Sequence, residues 1–264
     1  MRVIKKANAG NNRNLVRTEE TNGRPASSEH ATRAWGNFHD RNQLLLEKLL
    51  TEQFGLCCYT ELNLADLKET HGLGSHFEHE QPKNLYPQRT FDELNLLLCV
   101  LDSQDLQRYR YAQQFGGHYK DHRRNTINYD PNKFISPQSS NCADYFVYIS
   151  IDGSIAPNVN LSDAELDKAI YTIDLLNLNA PFLKAERERW LQELNEILKP
   201  FIDGNDIASI GHIAECELTL TDRLHPDLIH DTPFPQLKSF HSATRAIFGA
   251  VGERVIHAHC PHID

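Results

Sequence analysis

The stretch Ser75-His76-Phe77-Glu78-His79-Glu80-Gln81-Pro82-Lys83 constrains this chain more than any other. It crowds acidic and basic side chains, a turn-forming proline and a lysine into nine residues. In an extended segment neighbouring side chains point to opposite faces. Glu78 and His79 therefore reach one ion only if the chain bends, and Pro82 predicts such a bend. A carboxylate beside an imidazole supplies an oxygen ligand for a hard divalent ion and a base for a water, which is what a metal-assisted hydrolase needs. The same residues also suit a polar surface turn, because His-Glu-His clusters are common on surfaces. The decision lies downstream.

A chain of 264 residues makes one large domain or two small ones. Its formal charge is −9. A free-standing nucleic-acid binder is usually basic, since lysine and arginine displace phosphate counterions, so the acidic balance argues against this chain holding nucleic acid unaided. It leaves room for a nuclease whose partner supplies the basic surface. The start, Met1-Arg2-Val3-Ile4-Lys5-Lys6, lacks the apolar run of a signal peptide. No window approaches the roughly 18–20 apolar residues that cross a bilayer. Six cysteines (Cys57, Cys58, Cys99, Cys142, Cys216 and Cys260) follow no scaffold pattern. A reducing, cytoplasmic compartment with mostly buried thiols is expected, and no membrane partner.

Residues 1 to about 30 are rich in Asn, Arg, Glu and Ser and read as an extended arm, ordered only when docked. Trp35, Phe38, Leu45, Leu49 and Leu50 predict a helix from about Thr32 to Phe54, stopped by Gly55. Leu56 to Leu62 reads as a short strand or knuckle. Phe91 to Val100 is strongly apolar apart from Asn95, which either caps a turn or holds a catalytic loop through backbone hydrogen bonds. Gly116-Gly117 gives a sharp turn, after which a short helix would present His118 and His122 four residues apart on one face. That pairing suits a metal, although chance pairs are frequent among 14 histidines. Lys120, Arg123 and Arg124 beside it would hold phosphates or form a solvated basic face.

Asp144 to Ile155 predicts a β-hairpin turning at Asp152-Gly153. Ser162-Asp163-Ala164-Glu165 is a capping box opening a helix through Leu176, Pro181 opens another, and Asp206 to Leu220 reads as a third. Phe240 to Phe248 is a further short helix. His257, His259 and His262, beside Cys260, could bind adventitious metal but read rather as a mobile tail.

The order Glu78-His79, then Asn95, then His118 near Lys120 resembles that of the HNH (ββα-metal) nucleases. The separations suit a hairpin followed by a helix, with an insertion before the helix. Phe77-Glu78-His79, Pro82-Lys83 and Asn95-Leu96-Leu97 resemble one branch, the PtuB-type HNH proteins of Septu and retron-linked anti-phage systems. Glu52 to Cys57, Asp152 to Ile155 and Leu175 to Asn179 extend the likeness over most of residues 1 to about 200. The resemblance implies an α+β, mainly helical fold. Residues 1–55 would form an arm and helix, 56–135 the ββα-metal nuclease core, and 136–264 a β-hairpin and helical partner-docking region.

By the same resemblance His79 is the general base, Glu78 a metal ligand, Asn95 the residue that holds the loop and orients His79, and His118 the second ligand, with His122 as alternative or supplement. Lys83 and Lys120 are candidate phosphate contacts. The ion is expected to be Mg²⁺, with Mn²⁺, Ni²⁺ or Zn²⁺ open to a nitrogen ligand. Many relatives also carry Cys-x-x-Cys pairs that bind a structural zinc. Here Thr60 and Gly116 stand at two cysteine positions, leaving Cys57 and Cys99 as small apolar fillers and predicting no structural zinc. The implied partners are a PtuA-type ATPase and, in the retron version, a reverse transcriptase with its RNA-linked DNA. Two functions follow: a toxic metal-dependent endonuclease cutting DNA, or RNA such as tRNA, and a non-catalytic adaptor on a decayed HNH scaffold linking an ATPase to nucleic acid.

Overall fold

The computed structural model describes residues 1–7 and 12–263. Its elements run in chain order as α1 (Arg13–Asn22), α2 (Ser28–Gly36), α3 (Leu44–Glu52), α4 (Leu64–His71), β1 (Ser75–His79), β2 (Leu96–Val100) and α5 (Gly117–Lys120). Then come β3 (Phe146–Tyr148), β4 (Ile155–Pro157), α6 (Asp163–Leu176), α7 (Pro181–Asp203), α8 (Ile207–Leu218), β5 (Thr221–Arg223), β6 (Phe234–Gln236), α9 (His241–Phe248) and α10 (Ala250–His259). The result is α+β, with helices around small antiparallel two-stranded sheets.

β1 and β2 form the antiparallel hairpin at the centre, pairing His76 with Cys99, Glu78 with Leu97 and His79 with Leu96. Every residue of β2 is buried, as its unbroken Leu-Leu-Leu-Cys-Val run requires of a strand covered on both faces. Its outer edge is closed by a side chain: Gln53 accepts from the Leu98 N–H (2.7 Å) and donates to the Leu98 carbonyl (2.9 Å). A glutamine amide here reproduces the donor–acceptor pair of a missing strand, so a buried edge keeps its hydrogen bonds. The hairpin lies in a core that also takes Leu49, Leu50, Phe115, Ile173 and Leu176. A second cluster, with Leu194, Leu198, Ile210, Leu218, Phe248 and Ile256, holds the C-terminal helices.

Several expectations hold. The Ser162/Glu165 capping box opens α6, Pro181 is the first residue of α7, and the Asp206 side chain caps α8. The β3–β4 hairpin turns through Gly153 at φ +66°.

Others are corrected. The helix expected over Thr32–Phe54 is two helices. Asn42 and Gln43 both have positive φ, and Asp40 caps the second helix through the Leu45 and Leu46 N–H groups. The N-terminal arm is docked, with Met1, Ile4 and Leu15 buried, but it is not extended throughout, since α1 forms within it. Residues 8–11 of that arm lie outside the described residues. The C-terminal histidines do not form a tail either, because Ile256, Cys260 and Ile263 anchor α10 in the second core. The β5–β6 hairpin is too short and polar to read from sequence. It is tied to the N-terminal half where the Leu237 N–H donates to the Phe54 carbonyl (3.0 Å). No helix among the described residues is long and apolar enough to cross a membrane.

Candidate active site

Strand parity sorts the acid and base groups. His76 and Glu78 leave β1 on one face, shared with Leu97 and Cys99; Phe77 and His79 leave on the other. α5 covers the first face. Gly116 and Gly117 bring its backbone so close that a Cβ at 117 would lie 2.0 Å from Glu78 Oε2, and one at 116 would lie 2.9 Å from Cys99 Sγ. Gly116 also has φ +69°, and its N–H donates to the Leu176 carbonyl (2.8 Å), so the end of α6 fixes where α5 starts. The double glycine is what lets a helix settle on a buried carboxylate.

Glu78 is buried, and its two oxygens face different partners. Oε1 receives Lys120 Nζ (3.1 Å) and the Tyr59 hydroxyl (3.3 Å); Oε2 lies 3.3 Å from His76 Nε2. Burial alone would raise its pKa, but the Lys120 charge and the His76 contact reverse this and bring it down to about 2. His118, on α5, lies over His76 with ring centroids 4.0 Å apart. Its Nε2 is buried without a hydrogen-bond partner. Burial, and then the neighbouring His76, lower its pKa to about 4.

His79 faces away from this group. Its ring meets Trp35 edge to face at 4.5 Å, and Nε2 lies 3.0 Å from the Thr90 carbonyl. A carbonyl only accepts, so Nε2 carries the proton and Nδ1 is the ring's basic nitrogen. Burial, then the charge of Lys83, pull the imidazole down to about 3, so it is neutral at neutral pH. The Asn95 side chain makes no hydrogen bond to His79. It accepts from the Gln81 N–H (2.8 Å) and donates to the carbonyls of Gln81 (3.0 Å) and Arg89 (3.2 Å). It thereby closes the loop between the strands one residue from Thr90, which holds the His79 ring.

Glu78, His79, Asn95 and His118 do not all lie on one face of the hairpin. Glu78 and His118 share a face with His76, whereas His79 stands on the opposite one, because β1 stays extended through His79 and the chain bends only at Glu80 and Gln81. Lys83 is half-buried beyond the strand end and lies near both histidines: its charge lowers His79 and His118 alike. Lys120 is not a surface phosphate contact. It is buried, bonded to Glu78, to the carbonyls of His79 (3.1 Å) and Glu80 (3.3 Å) and to Asp121 (2.8 Å). Those anions, Glu78 foremost, outweigh burial and push its pKa up. His122 does not join His118, because α5 ends at Lys120. Its Nδ1 accepts from the Arg124 N–H (3.0 Å), and its ring lies against Tyr111. Arg123 and Arg124 are exposed.

Three residues at this face went unread in the sequence: His76, Tyr59 and Cys58. The i, i+2 spacing of His76 and Glu78 in a strand was the available signal. Cys58 joins Cys57 and Cys99, and these form the only group of three His, Cys, Asp or Glu ligand atoms within 4.8 Å of one another among the described residues. Cys57 and Cys99 are therefore more than apolar fillers: their sulfurs are 3.7 Å apart, and N–H groups of Val100 and Gly117 point at them (3.5 Å each). Burial opposes ionisation of all three. Hydrogen bonds from Cys58, Cys99, Thr60 and Val100 nonetheless hold Cys57 well below the usual thiol range, while burial pushes Cys58 and Cys99 up. The donor set is three sulfurs, one short of a four-ligand structural zinc.

A buried carboxylate on a hairpin, a short helix bringing an imidazole to it, and an asparagine clamping the intervening loop follow the order of parts in an HNH nuclease. A carboxylate oxygen and an unpartnered imidazole nitrogen are donor types that a divalent ion takes, although among the described residues Glu78, His76 and His118 do not bring three ligand atoms within 4.8 Å of one another. No protein-family profile matches the chain. Over 166 residues it is 30% identical to a protein of Vibrio cholerae serotype O1 biovar El Tor named "Retron Vc95 putative HNH endonuclease", a match covering 62% of this chain and 71% of that one. The chain belongs to this family of retron-associated HNH endonucleases.

Proposed function

We propose that this chain is a metal-dependent endonuclease that hydrolyses phosphodiester bonds, built on a ββα-metal core of β1, β2 and α5. The observation that carries the reading is the buried, unpartnered Nε2 of His118, delivered by α5 to the face of β1 that holds Glu78. Glu78 and His118 would hold the ion, which would supply Lewis-acid stabilisation of charge on the scissile phosphate and the leaving oxygen. Mg²⁺ suits the carboxylate, and the imidazole extends the choice to Mn²⁺. Tyr59 and Lys120 keep the carboxylate ionised and aimed. His79 acts from the strand end as general base through Nδ1, its tautomer set by Thr90 and its loop by Asn95. Lys83, near both histidines, binds the phosphate.

The substrate is DNA, or an RNA such as a tRNA. With a net charge of −9, the chain relies on partners to hold it. We assign that part to a PtuA-type ATPase and to a retron reverse transcriptase with its RNA-linked DNA, the chain being the toxic effector of an anti-phage system. The relative's retron name supports the second partner. In the test, the complex is incubated with mixed DNA and RNA, with and without EDTA. Cleavage that EDTA stops, and that His79→Ala removes while the complex still assembles, is expected. A complex that assembles but never gives a metal-dependent product sinks this reading. The adaptor would then stand, favoured by the turning of His79 away from Glu78.

A further inference from the structure

α5 carries Tyr119 one position beyond His118. The Tyr119 ring stacks on Tyr111, with centroids 4.9 Å apart and planes 9° apart, and Tyr111 also lies 4.6 Å from the ring of His122. All three rings are half-buried, so each keeps surface toward solvent. The group is tied to the end of α6. The Asn125 side chain donates to the carbonyls of Tyr119 (3.1 Å) and Leu175 (3.2 Å), and the Asn125 N–H donates to the His122 carbonyl (2.8 Å). Rings held in place in this way lose little freedom when a ligand lands on them. Cations stand around them. Arg110, Arg123 and Arg124 are exposed, and none of them forms an ion pair with a carboxylate among the described residues. Burial, and then a hydrogen bond with Tyr119, raise the Tyr111 hydroxyl to about 12, while the Arg124 charge pulls it the other way, so that guanidinium stands close to the stack. In a chain of net charge −9, residues 108–124 hold five Lys or Arg against one Asp, a local reversal of sign.

Grouped aromatic rings among unpaired guanidinium groups suit single-stranded nucleic acid. The rings take base faces, which a duplex keeps covered, and the cations take phosphates. The patch adjoins the helix that carries His118, so whatever it holds is held beside the candidate site. An acidic protein seated there would cover that site instead of supplying it. We infer that Tyr111, Tyr119 and His122, with Arg110, Arg123 and Arg124, grip an unpaired stretch of nucleic acid, so that the substrate is cut in or beside a single-stranded segment. The inference rests on the nuclease reading for the cut alone; the grip is a binding property of this face.

The test reads binding by this chain at low ionic strength, from the fluorescence anisotropy of a labelled oligothymidylate, an oligouridylate and a DNA duplex of the same length. Wild-type protein is expected to bind both single strands more tightly than the duplex. Tyr111→Leu keeps an apolar side chain but removes the ring. It is expected to weaken single-strand binding about five- to a hundredfold, the range for losing one base stack, with the salt dependence unchanged. Arg123→Gln combined with Arg124→Gln is expected to flatten the slope of log affinity against log salt by about 1.4, roughly 0.7 for each phosphate contact on a single strand. Circular dichroism checks folding, and His122→Ala serves if Tyr111→Leu fails to fold. Unchanged single-strand binding in the folded variant overturns the inference, and so does a duplex bound as tightly as the single strands. A wild-type chain that holds no single strand overturns it too, and the patch is then a protein contact. The nuclease reading is judged apart from this. EDTA-sensitive cleavage by the complex that is indifferent to Tyr111 keeps that reading and overturns the grip. Binding that needs Tyr111, with no metal-dependent product, keeps the grip and leaves the adaptor.

Discussion

Lys120 and Glu78 are a buried pair, and neither has water to fall back on. Removing one member of such a pair strands the other, which usually costs about 3–5 kcal/mol. Lys120→Met is therefore expected to lower stability by about that much in urea denaturation. Adding Glu78→Gln is expected to restore part of it, since the stranded charge is then gone. If the double variant is less stable than Lys120→Met alone, Lys120 acts through its contacts with the His79 and Glu80 carbonyls instead. Asn95 makes a comparable point with neutral groups. Asn95 is buried and its three hydrogen bonds hold the loop backbone, so Asn95→Ala is expected to cost roughly 1–3 kcal/mol and to loosen hydrogen exchange across residues 80–95. Asn95 could be picked from the sequence because one amide among leucines has to be satisfied. Lys120 could not: beside Arg123 and Arg124 it reads as one more surface cation, and only the fold shows that its ammonium is enclosed.

The hairpin and α5 meet through two glycines that serve different ends. Gly116 supplies a positive φ; Gly117 supplies space against Glu78. Gly117→Ala keeps an ordinary helical backbone, so its stability cost should stay near about 1–3 kcal/mol, as for overpacking. Because the new Cβ displaces the carboxylate itself, divalent-ion binding is expected to fall by an order of magnitude or more, read by titration with Mn²⁺. Binding unchanged in a folded Gly117→Ala protein would mean that the ion does not use Glu78. The Gly-Gly turn before a histidine was legible in the sequence. Its closeness to Glu78, and the four-residue length that removes His122, were not, because both depend on where α6 ends and on the Leu176 carbonyl that receives Gly116.

Across the whole molecule, burial sets the response to acid. His79, His118 and His241 are all held below their ordinary pKa, first by burial, at about 3, 4 and 4. In the unfolded chain they take up protons near pH 6.5, so the unfolded state binds more protons as the pH falls below that value. The stability they contribute is full above about pH 6.5 and is lost progressively down to their folded values. Glu78 and Glu61, both held at about 2, add a second loss between about pH 4.5 and 2. Each histidine contributes a slope of up to about 1.4 kcal/mol per pH unit within its window. Urea midpoints at pH 8, 6 and 5 are expected to fall in that order, and a flat profile would show that these histidines are exposed or paired in solution. The sequence by itself determined the local grammar of this protein. The capping box, the proline-led helix, the Asp-Gly hairpin and the apolar β2 run follow from interactions between residues a few positions apart. Only the tertiary structure decided the site. Whether His76 or His79 stands beside Glu78 turns on the exact residue at which a strand bends, and whether Cys58 joins Cys99 turns on a contact between segments some forty positions apart. Such choices are made by packing around the hairpin, where many weak long-range contacts outweigh local preference.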